Sequence, residues 1–294
     1  MPQLRTILYP TDFSPCAEKA FEHALLLTRA FQARLILFHA VVMFQETIPV
    51  PEVEGALEKL YSTLEDRAAS RFPETGAGIE VERVVARGIS AAEEIVGFAE
   101  QNDVDLVVMG THGRRHLAHL FLGSVTERVL HSTKRSVLCV REEAKPVSLG
   151  AGYRTIVTAI DFSEHSRKAA LWAGTLADRF GSELHFVHVV EDSIHPAYYL
   201  TGKTSLTELI PEIRPKSQEA MQKLAAELGL DPARVHVVVR EGNASSEIAK
   251  YCREADADLL CTGTRGLRGL ESVLLGGTAE RLARSSPCAV LVVK

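Results

Sequence analysis

What is missing from this sequence narrows it first. Its five cysteines, Cys16, Cys139, Cys252, Cys261 and Cys288, form no C-x-x-C and no paired spacing, and most stand in apolar runs. That excludes a disulfide scaffold and a cysteine-based zinc ribbon, and it fits reduced core thiols of a cytosolic chain. No H-E-x-x-H and no carboxylate triplet suggests a metal cage. No G-x-S-x-G elbow presents a serine nucleophile, and no Walker loop precedes a helix. Neither a metal site nor a catalytic set is therefore expected. No apolar run reaches the roughly 18 residues that cross a bilayer, and Met1 to Arg5 enters a strand pattern without an apolar leader. No membrane partner is expected, and the cytoplasm is the expected location. A net charge of −5 gives no broad basic surface, so nucleic acid is not an expected partner.

What is present is ordinary in bulk and specific in pattern. Hydrophobic residues make up 46% and charged residues 24% of 294 residues, which gives room for two domains with a core each. The apolar run Asp105-Leu106-Val107-Val108-Met109 opens into Gly110-Thr111-His112-Gly113, then nine residues, then Gly123-Ser124. Glycines at the mouth of a strand let backbone approach a ligand closely. Ser124 with Glu127 reads as a capping box, so Ser124 is expected to cap a helix. Helix N-termini carry unpaired N–H groups and the positive end of the dipole, which makes them anion sites. The same pattern returns as Gly263-Thr264-Arg265-Gly266, nine residues, then Gly276-Gly277-Thr278, with Glu280 in the place of Glu127. The chain is a tandem duplication.

Taken in order, Leu4 to Leu8 reads as a first strand ending in Asp12-Phe13-Ser14-Pro15, with Ser14 a helix cap and Pro15 its first helical residue. Arg34 to Val42 is a nearly continuous apolar strand, the mark of a parallel sheet covered on both faces. A helix over about 52–72, a strand over 79–86, a helix over 91–101 and strands over 104–109 and 136–141 complete a doubly wound domain. The polar stretch 144–151 reads as a linker between domains 1–143 and 152–294. Asp161-Phe162-Ser163 then repeats Asp12-Phe13-Ser14 at an offset of 149. The extra residues of the second half fall between Asp192 and Pro215, where His195 to Tyr199 is a lid candidate or a solvated connector. The fold class is α/β: two tandem doubly wound, Rossmann-like domains with five-stranded parallel sheets.

In such sheets a ligand sits outside the carboxyl ends of the strands, where Asp12, Val41 and Gly110 converge beside Gly123 and Ser124. A carboxylate there can meet a ribose, or it can cap the first helix. His39 and His188 lie inside apolar strands and read as core histidines with a satisfied hydrogen bond. His112, Arg114, Arg115, His116 and His119 form a local basic strip, with Arg265 and Arg268 in the second half.

These residues resemble the universal stress proteins of the ATP-binding type, in which G-x2-G-x9-G-[S/T] binds ribose and phosphates. The likeness covers nearly the whole chain, one domain per half, and implies strand order 3-2-1-4-5 in each. It implies nucleotide contacts at Asp12, Val41, Gly110, Gly113, Gly123 and Ser124, and in the second half at Asp161, Val190, Gly263, Gly266, Gly276, Gly277 and Thr278. ATP is the implied ligand, with magnesium accompanying its phosphates. Because single-domain relatives commonly dimerise, an intramolecular pseudo-dimer through the apolar fifth strands is implied, with a homodimer as its intermolecular form. An unidentified protein partner would read its state. The second half departs at Gly277, which stands where the family has serine or threonine and could itself serve as an N-cap. Three functions stay open: a nucleotide-binding stress or signalling module, a slow ATP hydrolase or phosphotransferase, and a nucleotide-free scaffold. The first is favoured, because a single acid without a placed base is thin support for catalysis.

Overall fold

The computed structural model describes residues 3–42, 80–111, 122–191, 206–264 and 275–294, with helical positions 55, 56, 58, 59, 62, 63 and 66. They form two compact units, Gln3–Glu142 and Glu143–Lys294. In the first unit β1 (Thr6–Pro10) leads into α1 (Pro15–Phe31). Ser14 starts that helix as the sequence predicts: its Oγ accepts the Ala17 N–H at 3.2 Å, and Pro15, which has no N–H to leave unpaired, follows it. Then come β2 (Arg34–Val42), β3 (Val81–Gly88), α2 (Ala91–Gln101), β4 (Leu106–Gly110), α3 (Ser124–Ser132) and β5 (Ser136–Val140). All strand pairs are parallel, in the order β3-β2-β1-β4-β5. The central strands bury consecutive residues, Ile7 to Tyr9 and Leu35 to Phe38 among them, because helices cover both faces.

The second unit repeats the pattern. Its elements are β6 (Thr155–Ala159), α4 (Glu164–Phe180), β7 (Glu183–Val190), α5 (Ile213–Glu227), β8 (Val235–Glu241), α6 (Ala244–Glu254), β9 (Leu259–Gly263), α7 (Gly277–Ser285) and β10 (Ala289–Val293). Its order is β8-β7-β6-β9-β10, again third, second, first, fourth, fifth. Ser163 caps α4 as Ser14 caps α1, accepting the Ser166 N–H at 3.2 Å. All five cysteines are buried, and none is in a disulfide. Among the described residues no helix is long and apolar enough to cross a membrane.

Two expectations shift. The first strand begins at Thr6 rather than Leu4, and the fourth at Leu106 rather than Val104. Asp105 explains both: its Oδ2 accepts the N–H groups of Arg5 (2.7 Å) and Thr6 (2.9 Å), which closes the sheet end with a side chain. Leu4 and Val104 are buried but stand before the ladder. The helix read over 52–72 is helical at its described positions, and the rest lies outside the described residues.

The stretch 144–151 does more than connect. Lys145 Nζ lies 2.7 Å from Asp256 Oδ2 and 2.8 Å from Asp258 Oδ1. Asp258 Oδ2 meanwhile accepts the N–H groups of Arg154 (2.7 Å) and Thr155 (3.0 Å), the counterpart of Asp105. Gly152 closes the turn at φ 67°, where a Cβ would come within 2.3 Å of the Phe180 ring. Burial works to raise the Asp258 carboxyl, but Lys145 and the two backbone donors outweigh it and hold it below the ordinary carboxylate range. Burial likewise works to lower the Lys145 ammonium, and its two carboxylate partners prevail and raise it. Lys145→Ala is expected to cost roughly 1–2 kcal/mol, or about 3–6 °C in the melting of the second unit at neutral pH. Because the Asp258 value is depressed in the folded state, this contribution is full above about pH 4 and fades as pH falls through the folded value. Because the Lys145 value is raised, it also fades as pH climbs through a value above about 10.4. Melting curves of both proteins from acid to neutral pH test this, and a gap that stayed constant into acid would remove the pair as its source.

Candidate functional site

The carboxyl ends of β1, β2 and β4 bring three pieces of the first unit together. After β1 the chain turns through Thr11, Asp12 and Phe13 into α1. Asp12 Oδ1 accepts the Ser14 N–H at 3.0 Å, so this carboxylate orders the turn that carries the helix cap. Phe13 sits at φ 61°, a left-handed conformation that costs a residue of its shape on the order of 1–2 kcal/mol. The second unit repeats this at Asp161, whose Oδ1 accepts from Ser163 N (3.0 Å) and Ser163 Oγ (2.6 Å), and at Phe162, φ 65°.

β4 ends against the first turn of α1. A Cβ on Gly110 would lie 3.0 Å from Ala17 N and from the carbonyl carbon and Sγ of Cys16. On Gly263 it would lie 2.6 Å from the His165 carbonyl carbon. Packing thus requires the first motif glycine at Gly263, and at Gly110 a side chain would need its neighbours to give by a few tenths of an ångström. From there the loop base is stitched shut: the Thr111 N–H donates to Val140 O (2.9 Å), and the Gly123 N–H to Thr111 O (2.7 Å). In the second unit the Thr264 N–H donates to Val293 O (3.1 Å) and the Gly276 N–H to Thr264 O (2.6 Å).

Here a sequence expectation is corrected. Ser124 is not the N-cap of α3 but its first helical residue. Gly123 is the cap, since its carbonyl accepts the Glu127 N–H at 2.9 Å, and no side chain closes the helix start. Gly276 caps α7 in the same way, accepting from Glu280 N at 3.1 Å, so Gly277 is first in its helix rather than the cap. A glycine cap offers no side-chain oxygen to the first-turn N–H groups, which with the helix dipole leaves each start suited to an anion. Ser124 is exposed there, and a Cβ on Gly277 would meet nothing within 4 Å.

The units differ in nearby details. Thr126 Oγ1 donates to Gly110 O at 2.8 Å and ties α3 to the end of β4, whereas Ala279 stands in its place in α7. Thr126 is a site-shaping residue that sequence reasoning missed, since its counterpart Ala279 gives no recurrence to mark it. At the base end Val41 pairs in register with Arg87, and Val190 with Glu241. Glu241 is engaged by Thr207, from N at 3.2 Å and from Oγ1 at 2.5 Å. The Val190 carbonyl accepts the Gly242 N–H at 3.0 Å.

Both histidines make the expected hydrogen bond, His39 Nδ1 with Thr11 O and His188 Nδ1 with Ile160 O, each at 2.7 Å, but His39 is buried and His188 only half-buried. Gly113, Gly266, the basic residues 112–119, Arg265, Arg268 and the segment His195 to Tyr199 lie outside the described residues. Among the described residues no group of three or more histidines, cysteines or carboxylates could hold a metal. The predicted residues that are described stand at strand ends and helix starts: Asp12, Val41, Gly110, Gly123 and Ser124 in one unit, and Asp161, Val190, Gly263, Gly276, Gly277 and Thr278 in the other.

Comparison with known proteins adds the lineage. The model of the Universal stress protein family matches residues 3–141 and again 152–294. Universal stress protein MJ0531 of Methanocaldococcus jannaschii is 35% identical over 143 residues, which cover 48% of this chain and 82% of that protein. MJ0577 of the same organism is 30% identical over 156 residues, 47% of this chain and 96% of that one. Each such relative corresponds to about one half of this chain. The crystal structure of a universal stress protein from Archaeoglobus fulgidus covers 98% of this chain and of its own, with a TM-score of 0.73 at 23% identity, a likeness of fold. With the family matched over both units, on the strands and loops that build each crevice, the chain belongs to the Universal stress protein family as a tandem of two family domains.

Proposed function

We propose that each unit binds an adenine nucleotide, ATP foremost, and that the chain works in the cytoplasm as a stress-response module whose occupancy a protein partner reads. The observation that carries this reading is the pair of glycine-capped helix starts, α3 and α7. Each opens, without a side-chain cap, onto a loop base closed by backbone hydrogen bonds. Phosphates would lie on the N–H groups of those starts, at Gly123 and Ser124 in one unit and at Gly276, Gly277 and Thr278 in the other. Gly110 and Gly113, with Gly263 and Gly266, would line the approach. Asp12 and Asp161 would hold the ribose, and the backbone at Val41 and Val190 the base. Magnesium would travel with the phosphates and water.

Gly123→Asp tests the phosphate end. At φ −59° and ψ 141° the position suits an aspartate N-cap, so the helix is expected to stay folded and even to gain a cap. The carboxylate would stand against the phosphates, and like charges about 4 Å apart repel by roughly 4 kcal/mol at an effective dielectric near 20. Titration calorimetry with ATP should lose one of two sites. Undiminished stoichiometry in a folded variant would move the phosphates elsewhere.

The two sites should also differ in strength. Ser124 can donate a hydroxyl hydrogen bond to a phosphate oxygen, and Gly277 cannot, although water or Thr278 recovers part of the difference. ATP is expected to bind about tenfold more tightly to the first unit, seen by comparing Asp161→Ala, which leaves the first site, with Asp12→Ala, which leaves the second. Gly277→Ser meets no steric obstacle and should narrow the gap. Equal affinities, or a tighter second unit, would remove the hydroxyl as the basis of the asymmetry.

A further inference from the structure

The β1–α1 turn and its counterpart between β6 and α4 hold the same strained shape with different side chains. Phe13 and Phe162 lie at φ 61° and 65°. Asp103 and Asp256 also take positive φ, but short polar residues tolerate that region and phenylalanine does not. A strained residue persists only where its surroundings over-determine it. In the first unit the Thr11 side chain helps, its Oγ1 accepting the Phe13 N–H at 3.0 Å. The second unit has Ile160 there and no hydroxyl, yet the turn is unchanged. Thr11 is therefore dispensable to the shape.

What both turns keep is a histidine from the neighbouring strand. Because a carbonyl can only accept, the 2.7 Å contacts of His39 with Thr11 O and of His188 with Ile160 O make each Nδ1 the donor. Each imidazole also packs on the strained phenylalanine, with ring centroids 5.0 Å apart for Phe13–His39 and 4.7 Å for Phe162–His188. The residues after the pinned carbonyls are Asp12 and Asp161. Each histidine thus grips its turn on both sides of the carboxylate, by a hydrogen bond before it and a ring contact after it. The backbone closes the arrangement, with the Thr11 N–H on Phe38 O and the Ile160 N–H on Val187 O, both at 2.8 Å.

We propose that His39 and His188, in the Nδ1-protonated form, are positioning residues for the two nucleotide sites: each fixes the left-handed turn at Phe13 or Phe162 that presents the ribose-binding carboxylate. This inference rests on the nucleotide reading above. The sites reach ligand through Asp12 and Asp161, and the histidines act on them through the turn.

The test uses the full chain carrying Asp161→Ala, so that only the first site is read. His39→Leu removes the donor and should weaken ATP binding by roughly five- to tenfold, the worth of one neutral hydrogen bond and the order it maintains. His39→Asn returns an N–H near the Nδ1 position and should bind within about twofold of the parent. Long-range ¹⁵N–¹H spectra of the parent should show His39 protonated at Nδ1. Parental affinity in folded His39→Leu would overturn the proposal, as would His39→Asn binding no better than the leucine variant. Should the leucine variant not fold, the asparagine variant and the tautomer decide, and protonation at Nε2 alone would overturn it. A parent chain that binds no ATP would overturn the nucleotide reading and this inference together. Binding that ignores the histidine would overturn only the latter.

Discussion

Backbone rests on backbone where the fourth strand of each unit ends, and both candidate sites depend on that contact. Gly110 lies so close to the first turn of α1 that an added methyl would stand 3.0 Å from a backbone nitrogen and carbon, and at Gly263 the gap is 2.6 Å. At 2.6 Å a side chain demands a shift of the main chain, and at 3.0 Å its neighbours must give by a few tenths of an ångström. The contact joins the two walls of each crevice. One is the aspartate turn that begins the first helix, and the other is the loop base that leaves the fourth strand. Their separation is set by the packing of the fourth strand's end on the first helix.

It follows that one spacing pattern encodes two physical requirements. Gly110 and Gly263 answer to close packing. Gly123 and Gly276 stand at helix starts that no side chain caps, and their backbone angles, φ −59° and −82°, are open to any residue. Gly277 answers to neither, since open space surrounds its missing Cβ. Replacing the first motif glycine would therefore disturb folding and ligand alike. Replacement at the third speaks to the ligand, and replacement at Gly277 speaks to a single hydroxyl. A motif read only as a string of glycines cannot make that distinction, because it appears only when each neighbour is known.

The sequence made the architecture legible wherever the signal was local or repeated. Buried runs such as Leu35 to Phe38 marked strands covered on both faces, Ser14 before Pro15 marked a helix start, and the duplication tied Asp161 to Asp12. It misled at Ser124, because S-x-x-E reads equally well one residue out of register beside a glycine. The carbonyl of Gly123, accepting from Glu127, decides that register, and no side-chain pattern records it. It was silent on Lys145, whose partner Asp256 is 111 positions away, and on the start of β1, which a carboxylate 99 to 100 residues later defines.

Comparing the halves separates what fills space from what fixes the site. Tyr9 is fully buried and donates to Ala17 O at 2.7 Å, while its counterpart Thr158 is equally buried with a hydroxyl that finds no partner among the described residues. Such an orphan costs roughly 1–3 kcal/mol, and the second unit carries it. Thr11 has become Ile160, Thr126 has become Ala279, and Arg87 faces the second strand where Glu241 does in the other unit. Through all of this the aspartate, the left-handed phenylalanine, the histidine on the preceding carbonyl and the glycine against the first helix keep the same geometry. Those four set backbone positions at the crevice, where small displacements undo a hydrogen bond. The changed residues alter packing and charge around a backbone frame that both units share.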